Sequence, residues 1–193
     1  GLVGSEMCIR DRLILGDGGS GDSTASIAEP LVDRLLTSAP GRAGQMNCGA
    51  EHALGEVLLF LHADTLLPTG SDVLILQALM QGRRWGRFDV RLSGRHWLLR
   101  VVERTMNWRS CLSGIATGDQ GIFLERRLFE LLGGFAPLPL MEDIELSKRL
   151  KEVAGRPVCI RTPLVTSSRR WEQYGIVRTI VLMWRLRLAW FLG

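Results

Sequence analysis

Val57-Leu58-Leu59-Phe60-Leu61-His62-Ala63-Asp64 is the stretch that decides the fold. Its first five residues form an unbroken apolar run between Glu56 and His62, the pattern of a strand buried on both faces, and the stretch closes on a carboxylate. Upstream, Leu13 to Leu15 reads as a strand ending in the turn Gly16-Asp17-Gly18-Gly19-Ser20-Gly21, and Ser23 to Asp33 reads as a helix. A short strand near Leu35 to Thr37 and a helix from about Arg42 to Leu54 follow. Downstream, Val73 to Met80 is helical. Arg87 to Leu92 alternates strictly, with Phe88, Val90 and Leu92 on one side and Arg87, Asp89 and Arg91 on the other, as a half-buried strand does. Leu98, Val101, Val102, Thr105 and Leu112 fall on one helical stripe, and Leu146, Leu150 and Val153 continue another that opens at Glu142. Strands alternating with helices of about 10 to 15 residues imply βαβ units, hence an α/β fold with a mostly parallel sheet and flanking helices.

The chain has 193 residues, which suits one domain. With 46% hydrophobic and 23% charged residues it is neither disordered nor fibrous, and it can bury a real core. Cys8, Cys48, Cys111 and Cys159 are widely spaced and form no C-x-x-C pair, so they read as buried free thiols of a reducing compartment. No secretory signal is legible, and a cytoplasmic location is expected. The greasiest stretch, Ile176 to Gly193, is broken by Arg178, Arg185 and Arg187, so its helix, about 176–192, is expected to pack on protein or rest on a membrane surface without crossing it. The net charge of +4 is carried almost entirely by arginine. Eight arginines between Arg83 and Arg109 face only Asp89 and Glu103, a composition that suits phosphate or an anionic lipid surface and equally a solvated face.

In an open α/β sheet, ligands bind beyond the carboxyl ends of the strands, and Asp17 and Asp64 both end strands there. His62 and Asp64 are two residues apart, so in extended backbone they point the same way and could hold a hard cation, Mg²⁺ or Mn²⁺; a solvated loop explains the same spacing. Gly16-x-Gly18-x-x-Gly21 matches the dinucleotide fingerprint, which keeps an NAD(P)-dependent oxidoreductase open, although Asp17 inside the loop would repel a pyrophosphate. Glu142 and Asp143 open a helix; acids there complement the helix dipole, and the same field would keep Asp143 ionised as a proton acceptor.

The ordered series Asp17-Gly18-Gly19-Ser20-x-Asp22-x-Thr24, Gly41-Arg42-Ala43-x-Gln45-Met46-Asn47, Leu61-His62-Ala63-Asp64-Thr65, Gly118-Asp119-Gln120, Met141-Glu142-Asp143 and Arg169-Arg170-Trp171-Glu172 resembles family 2 glycosyltransferases of the GT-A fold. It looks closest to the bacterial subgroup associated with arsenosugar biosynthesis, over residues 13–193. The resemblance implies an inverting, metal-dependent enzyme that moves a sugar from a nucleotide-sugar donor to a hydroxyl acceptor. On it, Asp17, Asp22, Arg42 and Asn47 would contact the donor, and Asp64, with His62 in place of the family's first aspartate, would hold the divalent cation (Mn or Mg). Asp143 of the Glu142-Asp143 pair would be the base, Arg170 would balance the departing phosphate charge and with Trp171 belong to the donor-binding set, and Asp119 and Gln120 would belong to an acceptor or donor loop. No nucleic-acid partner is expected, and a peripheral membrane contact would run through the C-terminal helix. The family begins with a strand and helix ahead of the Asp-Gly-Gly-Ser turn; residues 1–12 do not supply that unit, and an artefactual leader with a truncated N-terminus is expected. The remaining alternative is a non-enzymatic arginine-rich module for polyanions or membrane surfaces.

Overall fold

The computed structural model describes residues 12–192, with side chains through residue 186; the expectation for residues 1–12, Cys8 included, falls outside it, Arg12 excepted. In chain order the elements are β1 (Ile14–Asp17), α1 (Thr24–Ala28), β2 (Arg34–Thr37), α2 (Arg42–Glu51), β3 (Val57–Phe60), β4 (Thr65–Leu66), α3 (Ser71–Met80) and β5 (Trp85–Leu92). Then come α4 (Trp97–Ser113), β6 (Ile122–Glu125), α5 (Arg126–Leu131), α6 (Glu142–Ala154), β7 (Val158–Thr166), α7 (Arg169–Tyr174) and α8 (Ile176–Leu192). Short 3₁₀ turns occupy Glu29–Leu31, which ends the first helix earlier than its sequence suggests, and Gly118–Gln120.

The α/β class holds, but the sheet is mixed where a mostly parallel one was expected. β1 and β2 pair in parallel as a two-stranded sheet, and the other five strands run in the order β3-β6-β5-β7-β4. Within those five only β5 and β7 are parallel; β3–β6, β6–β5 and β7–β4 are antiparallel. The difference comes from β6 and β7, which the apolar pattern concealed. β6 is a run of only four residues ahead of two arginines, and β7 carries Pro163 in its middle. Proline lacks the N–H that a ladder needs, and the chain accommodates it with a bulge: Phe88 pairs with Ile160, but Asp89 pairs with Pro163, so Arg161 and Thr162 bow out of register.

The five-stranded sheet separates two cores in the period-2 fashion of strands. Trp85, Ile122 and Leu124 join Leu58, Leu128, Phe129, Phe135, Leu146 and Leu150 on one face. Phe88, Val90 and Phe123 join Ile75, Ala78, Ile160 and Leu164 on the other. On the first face Phe60, Phe129 and Phe135 form a triangle of rings with centroids 4.8 to 5.6 Å apart. A third cluster, Leu92, Leu99 and Val102, receives Trp171, Ile176 and Ile180 and so docks α7 and α8 on α4. The stripe read on α4 is therefore rotated: Leu99 and Val102 are buried, whereas Val101 and Leu112 are exposed. Val153 likewise faces solvent at the end of α6.

β5 is not half-buried. Arg87 is fully covered, because α4 lies over the face that sequence alternation assigned to water. Its guanidinium is paired with Asp89 and donates to the Asn107 carbonyl at 2.8 Å. Beyond Arg87, where β6 ends, side chains of α4 take the place of a neighbouring strand. Asn107 accepts from the Val90 N–H at 2.8 Å and donates to the Val90 carbonyl at 3.0 Å, and Glu103 accepts from Leu92 N–H. Cys48, Cys111 and Cys159 are free and only half-buried, and burial with Cys111 beside it pushes the Cys159 thiol up to about 11. Among the described residues no helix is long and apolar enough to cross a membrane. One face of α8 packs through Ile176 and Ile180, while Val177, Val181 and Trp184 are exposed beside Arg178 and Arg185.

Removing one member of a buried ion pair strands the other, at a cost of about 3 to 5 kcal/mol. Asp89→Ala is therefore expected to lower unfolding stability by about 3 kcal/mol, and Arg87→Met combined with Asp89→Leu to cost less than that single change, as urea titrations of the three proteins will read.

Candidate functional site

The site assembles where β3 ends, the 117–120 turn begins and α6 starts. After β3 the chain does not stay extended: Thr65 N–H donates to the His62 carbonyl at 3.1 Å, making a turn with Ala63 and Asp64 at its exposed tip. His62 and Asp64 are thus not two side chains of one extended strand, although the Asp64 charge still reaches His62. The His62 Nδ1 lies 3.2 Å from an Asp119 carboxylate oxygen, and its Nε2 edge sits against Gly118, where a Cβ would come within 2.5 Å. The Asp119 contact raises the His62 pKa above its ordinary 6.5, against the pull of burial. Burial alone would raise Asp119, but His62 together with the nearby charges of Arg42 and Arg170 lowers it instead.

Gly118 is held from its other side by Asp143, whose Oδ2 accepts the Gly118 N–H at 2.7 Å while Oδ1 accepts that of Ile144 at 2.7 Å. Glu142, next to it, is only 3% exposed and faces Arg42 at 3.9 Å. His62, Gly118, Glu142 and Asp143 line one small cavity with Met46, Phe60, Ile122 and Phe135. Ahead of this acidic pair Met141 adopts φ +67°, a left-handed conformation that a side chain rarely takes, so the turn into α6 is strained where the carboxylates emerge. The segment before Gly118 is clamped as well: Ser147 accepts from Ala116 N–H at 3.2 Å and donates to its carbonyl at 3.1 Å.

Arg42, His62, Asp64, Asp119, Glu142, Asp143 and Arg170 therefore share one neighbourhood, joined by contact or by their fields. The other anticipated residues build the frame around it. Asp17 folds back on its own loop, accepting from Gly19 and Ser20 N–H and the Ser20 hydroxyl, which lowers its pKa; Asp22 does the same with Thr24. The Gly19 and Ser20 N–H groups already serve Asp17 and are not free for a pyrophosphate, which argues against the dinucleotide reading of the loop's glycines. Asn47 clamps the Phe135 backbone through two bonds of 2.9 Å. Gln120, expected in a ligand loop, is fully buried and closes a capping box with Thr117. Trp171 packs on the Leu92–Leu99–Val102 cluster. The anchor that the sequence did not advertise is Gly118, which acts through a backbone N–H and through having no side chain.

Among the described residues no three His, Cys, Asp or Glu side chains converge as a metal cage. His62 Nδ1 is engaged by Asp119, so its Nε2, packed against Gly118, is the nitrogen left as a donor. Asp64 remains as a single exposed carboxylate. That donor set fits a hard cation drawing its other ligands from water and substrate phosphates, as Mg²⁺ does.

The model of glycosyl transferase family 2 matches residues 8–124, more than half of the chain. The chain belongs to that family. No curated protein matches it. Solved structures with the same fold include S. aureus TarS 1–349 (TM-score 0.63, 17% identity, 88% of this chain and 54% of that one). A mannosyltransferase from Pyrobaculum calidifontis in complex with GDP-Man and Mn²⁺ has a TM-score of 0.57 at 22% identity, over 80% of this chain and 46% of that one. Glucosyl-3-phosphoglycerate synthase from Mycobacterium tuberculosis, in complex with Mn²⁺, UDP and glucosyl-3-phosphoglycerate, has a TM-score of 0.56 at 19% identity, over 81% and 59% of the two chains. The family 2 chain described here thus spans about half the length of the structures it resembles.

The His62–Asp119 pair has a signature in pH. His62 binds its proton more tightly when folded, so its contribution is complete below pH 6.5 and is lost as pH rises through the raised value; that of Asp119 is complete above 3.8 and is lost as pH falls through the lowered one. In metal-free protein, imidazole NMR shifts are expected to place His62 above 6.5 and to bring it back down in Asp119→Asn.

Proposed function

We propose that this family 2 chain carries the catalytic site of an inverting glycosyltransferase that moves a sugar from a nucleotide-sugar donor to a hydroxyl acceptor, with Asp143 as the base. The observation that carries the reading is the Asp143 carboxylate, pinned by Gly118 N–H at 2.7 Å, beside the His62–Asp119 pair and within the neighbourhood of Arg42 and Arg170. Those elements meet beyond the carboxyl ends of the strands, where α/β sheets take ligands. Related structures crystallised with GDP-Man or UDP and with Mn²⁺ support the donor class and a divalent cation.

In this mechanism the donor lies over the turn after β3, with its nucleoside toward the loop that Asp17 and Asp22 keep in shape. Asp64 holds the cation, which when bound neutralises charge on the diphosphate. Arg42 and Arg170 present guanidinium groups to the same phosphates. Asp143 takes the proton of the acceptor hydroxyl as its oxygen bonds to the anomeric carbon from the face opposite the diphosphate, whose bond to that carbon breaks. Both Asp143 oxygens accept a backbone N–H, which fixes the carboxylate in place and leaves each a lone pair to receive that proton. Glu142 stays against Arg42 and orients it. The closer kinship is proposed to be the bacterial subgroup associated with arsenosugar biosynthesis, acting in the cytoplasm, with the exposed Val177, Val181, Trp184, Arg178 and Arg185 of α8 available to a membrane surface.

Two substitutions separate the roles. Asp143→Asn keeps an oxygen for Gly118 N–H but not the basicity, so single-turnover transfer is expected to fall by about 10² to 10⁴ with donor binding intact; a rate above about a tenth of the parent's assigns the proton to another group. Asp64→Asn is expected to remove the Mn²⁺-dependent part of donor affinity in calorimetric titrations, and parental affinity in Mn²⁺ would refute the assignment.

A further inference from the structure

An open groove of about 550 Å³ lies at the carboxyl end of β5, between the loop into α4 and the end of β7, and the reaction described above does not use it. Arg91, Ser93, Gly94, Arg95, Arg100 and Val165 line it. Arg91 and Arg95 are exposed, and none of the ion pairs among the described residues engages either. Arg100 is built into the wall: it donates to the carbonyls of Leu92 at 2.6 Å and Gly94 at 2.7 Å, and its buried Nε has no partner.

The nearby carboxylates are spent elsewhere. Glu103 is buried on Arg100 and the Leu92 N–H, and Asp89 is shared by Arg87 and Arg161. Glu172 takes the Ser168 hydroxyl at 3.0 Å behind Gly94, where a Cβ would meet it at 2.2 Å. Arg91 and Arg95 thus line the groove exposed and outside the ion pairs of the described residues, with the Glu172 carboxylate held behind Gly94.

The groove sits close to the reaction centre. Leu92 pairs with Thr166 of β7, and Thr166 pairs with Thr65, the residue after Asp64, with the two threonine hydroxyls 3.0 Å apart. Two strand spacings, about 10 Å, thus separate the groove from the Asp64 turn on the same end of the sheet.

We propose that this groove binds the phosphate of a phosphomonoester and thereby selects a phosphate-bearing acceptor. Planar guanidinium forks grip phosphate oxygens two at a time, and two such groups match a charge of about −2 better than they match a single carboxylate. Its role in acceptor choice rests on the glycosyltransfer reading; the anion site does not. The phosphate belongs to a soluble ester or to a lipid headgroup, which present the same chemistry.

Calorimetric titration of the full chain with phenyl phosphate, without donor or metal, tests the site. The parent is expected to bind phenyl phosphate more tightly than benzoate, and Arg91→Gln/Arg95→Gln to lose at least about tenfold in affinity with an unchanged melting temperature. Arg42→Gln is expected to retain the parental affinity. Sedimentation with phosphatidylcholine vesicles, with and without phosphatidic acid, distinguishes the sources: capture that needs both phosphatidic acid and the two arginines supports a lipid phosphate, and binding of the soluble ester alone supports a soluble acceptor. Equal affinity in parent and double variant, a preference for benzoate, or a loss confined to Arg42→Gln overturns the proposal. No turnover enters this readout, so its failure leaves the transferase reading standing, and failure of the Asp143 and Asp64 experiments leaves the anion site standing.

Discussion

Segment 116–120 is the constraint on which the candidate site depends, because two elements far apart in sequence, the end of β3 and the start of α6, converge on it. Ser147 grips Ala116 at both its N–H and its carbonyl, Asp143 takes the N–H of Gly118, and the His62 ring lies where a Gly118 side chain would be. Gln120 closes the turn from inside the protein. The end of β3 and the start of α6 are thereby fixed to the same few peptide groups. A carboxylate that accepts two backbone N–H groups has little freedom left, which is the condition for a base to be in place before its substrate arrives.

Charge is distributed by the same logic of satisfied and unsatisfied groups. On the covered face of β5, Arg87 is acceptable only because Asp89 and the Asn107 carbonyl complete its bonding, and Asn107 and Glu103 complete the strand edge that β6 leaves bare. Carboxylates used in this way are no longer available to the arginines farther along the strand. Near the carboxyl edge, where ligands collect, Arg91 and Arg95 are left outside the ion pairs of the described residues.

Much of the frame was legible. Val57 to Phe60 is a strand ending at the turn of the candidate site, Arg42 starts a helix, and Glu142-Asp143 opens another whose Leu146 and Leu150 are buried. These are local properties, set by apolar periodicity and by acids at a helix start. The errors were non-local. Arg87 reads as a surface residue until α4 covers it, and Pro163 hides a strand whose bulge only its partner β5 reveals.

The sequence by itself determined the α/β class, the family series running from Asp17 to Trp171, and the chemical types gathered at the site: carboxylates, one imidazole and arginines. Tertiary structure alone decided which of these meet. It gave His62 to Asp119, gave Asp17, Asp22, Asn47 and Gln120 partners within the protein, and raised a glycine N–H to the role of anchor for Asp143. The physical reason is that a polar side chain is committed by the unpaired donor or acceptor it finds on burial, and that partner comes from strands and helices distant in the chain.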